Sequence, residues 1–123
     1  MLQAIFNIED SKAVSLILED SSACLELGMM FRLSLPIYKG MLFVFKDTSN
    51  HGMWMKNVCG PLDFIFLGVD LKVIAVNRGA AYSTAPIYPN KLIKYVIEAN
   101  KGWAKDNGVV VGTQVALKGL EGT

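Results

Sequence analysis

The chain has 123 residues, of which 52% are hydrophobic and 19% are charged. A chain of this length folds around one core, and this composition is too apolar for a disordered segment. Twelve Lys and Arg nearly cancel eleven Asp and Glu, so the formal net charge of +1 offers no long-range attraction to nucleic acid or an anionic membrane. We therefore expect one domain, residues 1–123, that binds neither.

The sequence gives no reason to expect export, membrane insertion or a metal. No apolar run reaches the roughly 18 residues of a membrane helix, and Glu9 and Asp10 come too early for an export signal, so the cytoplasm is the expected location. Cys24 and Cys59 belong to no C-x-x-C pair, and the chain has a single histidine. We expect no zinc site and no cofactor, while pairing of the two cysteines stays open.

The first half of the chain predicts strands around one short helix. Residues 14–18 are apolar and β-prone, and residues 24–30 follow as a helix after two serines that can cap it. Residues 40–45 are continuously apolar but too short for a helix, which predicts a central strand covered on both faces. Residues 46–52 predict a polar turn, after which residues 53–57 return as the second strand of a hairpin.

The second half of the chain predicts four more strands. They cover residues 62–67, 72–77, 95–99 and 114–117. The turn at residues 68–70 joins the first two in a hairpin. Residues 79–90 hold two prolines and two tyrosines and predict the longest irregular loop. Residues 102–107 predict one or two helical turns that end at Gly108.

These segments together predict a mainly β fold with minor α content. We count about seven or eight short strands and one or two short helices, with turns at the spacing of all-β proteins. The fold expected is a compact antiparallel β-sandwich or barrel-like domain.

Three stretches carry a family resemblance. They are G-M-M-F-R at residues 28–32, G-M-L-F-V-F at residues 40–45, and W-M-K-N followed by P-L-D within residues 54–63. Jointly they resemble domain-of-unknown-function family 192, over about residues 16–117. The resemblance implies a β-rich, sandwich-like fold and no established reaction.

The chain also departs from the pattern of that family. Members often carry an arginine just before the first string, where this chain has Leu25, and a proline after the second, where it has Lys46. The usual G-D-x-V ending is G-T-Q-V at residues 112–115. Roles tied to those three positions do not carry over.

Asp63 is the side chain of greatest chemical interest, because a carboxylate that opens an apolar strand needs a partner if it is buried. It can accept backbone N–H bonds from the turn at residues 59–61, pair with Lys56 or Arg32, or act as a catalytic acid or base. Arg32 suits an internal salt bridge to Asp63 or Glu98, or contact with a carboxylate or phosphate-like ligand. Glu98 has the same two interpretations.

Trp54, Lys56 and Asn57 place an aromatic surface, a cation and an amide within four residues. Pockets for small polar ligands use this mixture, and so do ordinary edge strands. His51 is predicted to be an exposed turn histidine, since no neighbour in sequence orients its ring as a general base requires. Motifs for a hydrolase nucleophile, a phosphate-binding loop or a zinc helix do not occur.

The favoured function is a non-catalytic binding or interaction module whose polar side chains line a cleft beside the loop at residues 79–90, with Tyr82 and Tyr88 as covers. The candidate ligand-binding residues are Arg32, Trp54, Lys56, Asn57, Asp63 and Glu98. A small polar ligand is the expected partner.

The alternative is a small hydrolase or lyase in which Asp63 is the general base and Lys56 or Arg32 stabilises negative charge. In a third reading, an accessory protein, the same charges form internal salt bridges.

Overall fold

Seven strands and one short helix make up the described part of the chain. The computed structural model describes residues 2–9, 12–20, 39–53, 62–79 and 87–119. The elements are β1 (Leu2–Glu9), β2 (Lys12–Asp20), β3 (Lys39–Ser49), β4 (Leu62–Leu67), β5 (Val73–Gly79), β6 (Ile93–Asn100), α1 (Trp103–Asp106) and β7 (Gln114–Lys118). The predicted mainly β fold is confirmed.

All seven strands belong to one sheet, in the order β5-β4-β6-β3-β2-β1-β7. The strand predicted to be central, β3, lies in the middle of this order. Five of the six pairings are antiparallel, and β2 and β3 are parallel. Parallel neighbours need a connection much longer than a hairpin turn, and residues 21–38 provide that length.

The sheet buries apolar side chains on both of its faces, which explains the continuous apolar runs in its middle strands. In β4 every residue is buried, and alternate residues enter two different clusters. The first cluster is Ala4, Phe6, Leu16, Leu18, Leu42, Ile65, Leu67, Val73, Ile97, Ala99, Trp103, Ala104, Val109 and Val115. The second cluster is Met41, Met53, Leu62, Phe64, Phe66, Ile93 and Val96.

The two edge strands of the sheet meet at one end, so the sheet curls around the first cluster. Lys72, just before β5, forms an isolated antiparallel bridge with Gln114 at the start of β7. On either side of it, the Val73 N–H donates to the Thr113 carbonyl at 2.9 Å, and the Val115 N–H donates to the Leu71 carbonyl at 2.9 Å. No continuous ladder between β5 and β7 is described, so the described sheet is curled without being a closed barrel.

The hairpin of β4 and β5 contains a β-bulge that sets its register. Val73 lies opposite Leu67, whereas Ala75 lies opposite Phe66, so Ile74 is one extra residue on β5. The bulge shifts all later pairs by one position. As a result Arg78 is the residue that lies opposite Asp63.

Several sequence predictions need correction in detail. The strand β1 was not predicted, and β3 continues to Ser49 through residues predicted to be a turn, because it pairs with β6 beyond an irregularity in register. Met53 pairs with Ile87, through N–H···O bonds of 2.8 and 2.7 Å, instead of opening a hairpin with β3. The helix predicted at residues 24–30 and the segment 54–57 lie outside the described residues.

Candidate functional site

Asp63 is a buried carboxylate near one end of the sheet. It lies on the face of β4 that carries the first cluster, between Ala99 of β6 and Arg78 of β5. The residue is almost completely buried, with 3% of its surface exposed. A carboxylate in this position needs hydrogen-bond donors or a cation to offset the loss of hydration.

Three donors supply what this carboxylate needs. The Arg78 Nε–H donates to Oδ1 at 3.3 Å, and the Gly102 N–H donates to the same oxygen at 3.1 Å. The Ala104 N–H donates to Oδ2 at 3.1 Å. Backbone donors were predicted from the turn at residues 59–61, which lies outside the described residues. Those described come from Gly102, in the turn between β6 and α1, and from Ala104 in the first turn of α1. Both carboxylate oxygens are therefore engaged in holding that turn and the arginine.

The turn is shaped so that its N–H groups point at Asp63. Gly102 has a φ of 83°, in the left-handed region that glycine adopts without strain. The next residue, Trp103, is buried and packs edge-on against Phe6, with ring centroids 5.2 Å apart and planes at 61°. This contact ties the turn to the first cluster, so the donors stay in place.

A cleft of about 280 Å³ lies beside the ion pair, where β5 separates from the segment that leads to β7. It is lined by Asp63, Val76, Asn77, Arg78, Ala104, Lys105, Gly108, Val109 and Val110. Arg78 is held through its Nε, and 49% of its side chain is exposed. Its other guanidinium nitrogens have no partner among the described residues, and Lys105 is an exposed second cation on the lining. The cleft thus combines two cations with a wall of valines.

Glu98 is the second buried carboxyl group, and its surroundings are different. It lies on β6 between Met41 of β3 and Phe64 of β4, on the face of the second cluster, with 5% of its surface exposed. None of the described residues gives its carboxyl group a hydrogen bond or an ion pair. Burial raises the pKa of Glu98 from 4.5 to about 8, so the group is protonated at neutral pH.

The structure does not bring Asp63 and Glu98 together. Asp63 pairs with Ala99 across the β4–β6 ladder and Phe64 pairs with Glu98, so the two carboxyl groups point to opposite faces of the sheet. The other predicted site residues, Arg32, Trp54, Lys56 and Asn57, lie outside the described residues, as do Tyr82, Cys24 and Cys59. Tyr88 does not line the cleft, and its ring lies against Gly52.

His51 is better packed than an exposed turn histidine. Its ring stacks on Phe45, with centroids 3.8 Å apart and planes at 6°. Its Nε2 lies 3.0 Å from Ser49 Oγ and 3.2 Å from Asp47 Oδ1. A catalytic triad needs serine and carboxylate on different ring nitrogens, whereas here both lie at Nε2. The cluster therefore fixes the end of β3 and is not a hydrolase triad.

Sequence reasoning missed the two cations of the cleft. The predicted hairpin does not reveal the extra residue Ile74, which changes the register by one. Without that bulge Asn77 would lie opposite Asp63. Lys105 belongs to a basic stretch that acidic residues interrupt, a pattern typical of a solvated surface.

Metal ligation finds no support in the described part of the chain. No three His, Cys, Asp or Glu side chains of the described ranges are close enough together to hold a metal ion. The helix described, α1, is too short to cross a membrane.

The curled sheet and the short helix of the described ranges define a class of small, mainly β domains, and comparison with known proteins places the chain in a family. The model of the family DUF192, described as "Uncharacterized ACR", matches residues 4–117. The chain belongs to this family, which confirms the family predicted from its sequence. No curated protein matches the chain.

Two solved structures are similar along most of their length. One, from Sinorhizobium meliloti 1021, is described as a "putative transcription regulator"; it is 30% identical with a TM-score of 0.82, and the match covers 97% of this chain and 95% of that one. The other, from Novosphingobium aromaticivorans DSM 12444, is described as a protein of unknown function. It is 28% identical with a TM-score of 0.79, and the match covers 93% of this chain and 83% of that one.

Proposed function

We propose that this protein is a non-catalytic binding module that holds a small polar ligand in the cleft beside Asp63 and Arg78. The proposal rests on how the side chain of Arg78 is held and how far it is exposed. Its Nε is fixed by a buried carboxylate while about half of the side chain is exposed in a cleft. A guanidinium held in this way loses little conformational freedom when it binds a second group.

The hydrogen bonds of Asp63 favour binding over catalysis. A general base needs a lone pair aimed at the substrate. Both oxygens of Asp63 accept hydrogen bonds from within the protein, and its residue is 3% exposed. For Asp63 to take a proton from a substrate, at least one of these bonds would have to break, so the hydrolase or lyase alternative is the weaker proposal.

The description of the Sinorhizobium meliloti protein does not add DNA binding to this proposal. DNA-binding surfaces neutralise several phosphates with Lys and Arg. This chain has a formal net charge of +1, and only Arg78 and Lys105 are basic on the lining of the cleft. Two cations suit one small charged group better than a phosphate backbone.

A thermal-shift screen against small acids, sugars and nucleotides tests the proposal. A ligand present at about 100 times its dissociation constant stabilises the folded state by about 2.7 kcal/mol, which raises the melting temperature by several degrees. We expect Arg78→Gln to abolish the shift. The matched control is Lys91→Gln, which removes an exposed cation that does not line the cleft and leaves the shift unchanged.

Two results would contradict the proposal. One is a ligand that stabilises the wild type and Arg78→Gln equally, which would place binding elsewhere. The other is the absence of any shift across the whole library, which would favour an accessory protein whose charges form internal salt bridges only. The fold of each variant is checked by its two-dimensional NMR spectrum.

A further inference from the structure

We infer that the ligand of this cleft is a short aliphatic carboxylate, whose head group pairs with Arg78 and whose hydrocarbon chain lies against Val76, Val109 and Val110. The inference rests on the proposed function, because it names the ligand class of the same site. Four features of the cleft carry it: the charge of its lining, its valine wall, the fixed position of that wall, and its size.

The charge of the lining selects an anion. Asp63 is neutralised by Arg78 and by two backbone N–H groups, so Lys105 is left as the uncompensated charge of the lining. The guanidinium of Arg78 presents donors in a planar fork that matches a carboxylate. A ligand carboxylate beside these two cations would balance the charge.

Apart from Asn77, the rest of the lining is apolar and selects a hydrocarbon. Val76 is two residues before Arg78 and shares its face of β5, while Val109 and Val110 form the opposite wall. Val109 is buried, but Val110 has 61% of its surface exposed. A hydrocarbon chain in the cleft would cover Val110 and gain the free energy of removing apolar surface from water.

The exposed valine is held by backbone hydrogen bonds, so the wall exists before a ligand binds. The Val110 N–H donates to Thr113 Oγ1 at 3.1 Å, and the Thr113 N–H donates to the Val110 carbonyl at 3.1 Å. The preceding Val109 N–H donates to the Ala104 carbonyl at 2.8 Å. Because these residues are already ordered, binding a ligand against them costs little conformational entropy.

The size of the cleft sets the length of the chain. Its volume of about 280 Å³ lies at the lower limit of pockets for small molecules. Two residues along a strand span roughly 7 Å, the distance along β5 from Arg78 to Val76. Carbon–carbon bonds of about 1.5 Å at tetrahedral angles advance by about 1.3 Å each, so about five bonds cover this distance. The best ligand therefore has about six carbons.

An NMR titration with sodium salts of straight-chain acids, from acetate to octanoate, tests the inference. We expect affinity to rise about fourfold for each added methylene up to about six carbons and then to level off, since each buried methylene contributes about 0.8 kcal/mol. The Arg78 Nε–H and the N–H signals of Val109 and Val110 should shift together. Hexylamine has a similar tail with the opposite charge and should not shift them.

Variants separate the head group from the tail. Lys105→Gln, a change at an exposed residue that leaves the fold intact, should weaken every acid in the series by a similar factor of about twofold to fivefold. Val110→Ser should flatten the dependence on chain length and leave acetate unchanged. The matched control is Val69→Ser, at a valine that is 69% exposed and lies outside the cleft. It should change neither the dependence of affinity on chain length nor the affinity for acetate.

The outcomes distinguish this inference from the proposed function. If acetate, hexanoate and inorganic phosphate bind with equal affinity through Arg78, the cleft is a simple anion site, so the inference is overturned and the proposed function stands. The same holds if no acid binds while another library compound binds through Arg78. If neither the acids nor any library compound shifts the Arg78 signal, both fail.

Discussion

The two faces of the sheet each bury one carboxyl group, and they satisfy it in different ways. On the first face, Asp63 receives three hydrogen bonds, one of them from the guanidinium of Arg78. On the second face, Glu98 lies between Met41 and Phe64 and receives none from the described residues. The first group is paired with a cation, whereas the second is neutral at pH 7 because burial raises its pKa to about 8.

This difference shows that burial of an acid does not by itself define a functional site. Asp63 is buried together with its counter-charge and marks a cleft that a ligand can enter. Glu98 is buried among apolar side chains, and it makes the free energy of unfolding depend on pH.

The largest effect is the pH dependence that Glu98 imposes on stability. In the unfolded chain Glu98 ionises near its ordinary pKa of 4.5, and in the folded protein near 8. Between these values the folded state holds one more proton, so the free energy of unfolding falls as pH rises. Glu98 does not reduce the free energy of unfolding below pH 4.5 and reduces it by the full amount above pH 8. At about 1.4 kcal/mol per pH unit, the total loss is on the order of 5 kcal/mol.

Urea denaturation of the wild type and Glu98→Gln from pH 4 to pH 9 measures this effect. The glutamine has the same shape and no charge, so the variant should become more stable than the wild type as pH rises. Glu9→Gln, at an exposed glutamate of β1, is the control and should keep the dependence of the wild type. Identical curves for the wild type and Glu98→Gln would show that folding does not raise the pKa of Glu98.

Removal of the Asp63 carboxylate should destabilise the protein by about 3 kcal/mol at pH 7. Asp63→Ala leaves two buried N–H groups and one guanidinium without their acceptor. Asp70→Ala, which removes an exposed carboxylate with one backbone hydrogen bond, should have an effect below about 1 kcal/mol. Equal effects in urea denaturation would mean that the three bonds of Asp63 contribute little.

A methyl group at Gly40 should destabilise the sheet by about 2 kcal/mol. A Cβ at Gly40 would lie 2.7 Å from the Glu98 carbonyl oxygen, so the backbones of the neighbouring strands β3 and β6 would have to move apart. At Gly68 an added Cβ would meet the mobile end of Ile74, at 2.8 Å, which can rotate away. Gly40→Ala should therefore lower the urea midpoint clearly more than Gly68→Ala, and the opposite order would contradict the register of β3 with β6.

The smallest effect is expected for Arg78. Its side chain is half exposed, so water screens its charge, and Arg78→Gln should destabilise the protein by about 1 kcal/mol or less. Asp63→Ala combined with Arg78→Gln should be less destabilising than the sum of the two single changes, because both remove the same ion pair. Strict additivity in the double-mutant cycle would show that the pair contributes no net stability.

Apolar patterning was enough to predict much of the fold. The strand at residues 62–67 has the predicted bounds, and the hairpin that follows it and the helical turn at Trp103 are present. The extension of β3 through residues 46–49 was missed, because its polar residues pair through backbone bonds that side-chain patterns do not reveal. The strand β1 was missed although its sequence, L-Q-A-I-F-N-I-E, is mostly apolar, because this segment was interpreted only with respect to an export signal. The parallel pairing of β2 and β3 depends on which strands meet in space, which local sequence does not encode.

The candidate site was predictable only in part. A carboxylate at the start of an apolar strand indicated that Asp63 needs partners, and the prediction of backbone donors was right in kind. The donors come from a turn 39 and 41 residues further along the chain, and the cation comes from the other strand of the hairpin. Glu98 was grouped with Asp63 because both follow apolar residues, but their positions in the ladder place them on opposite faces.

The extra residue at Ile74 gives the ion pair a role in choosing between two hairpin alignments. If Ile74 paired with Phe66 in a regular ladder, Asn77 would lie opposite Asp63 and the side chain of Arg78 would turn to the other face. The buried carboxylate would then lose its cation. Electrostatic attraction between these two side chains thus penalises the slipped hairpin, and it keeps the arginine at the cleft rather than against the second cluster.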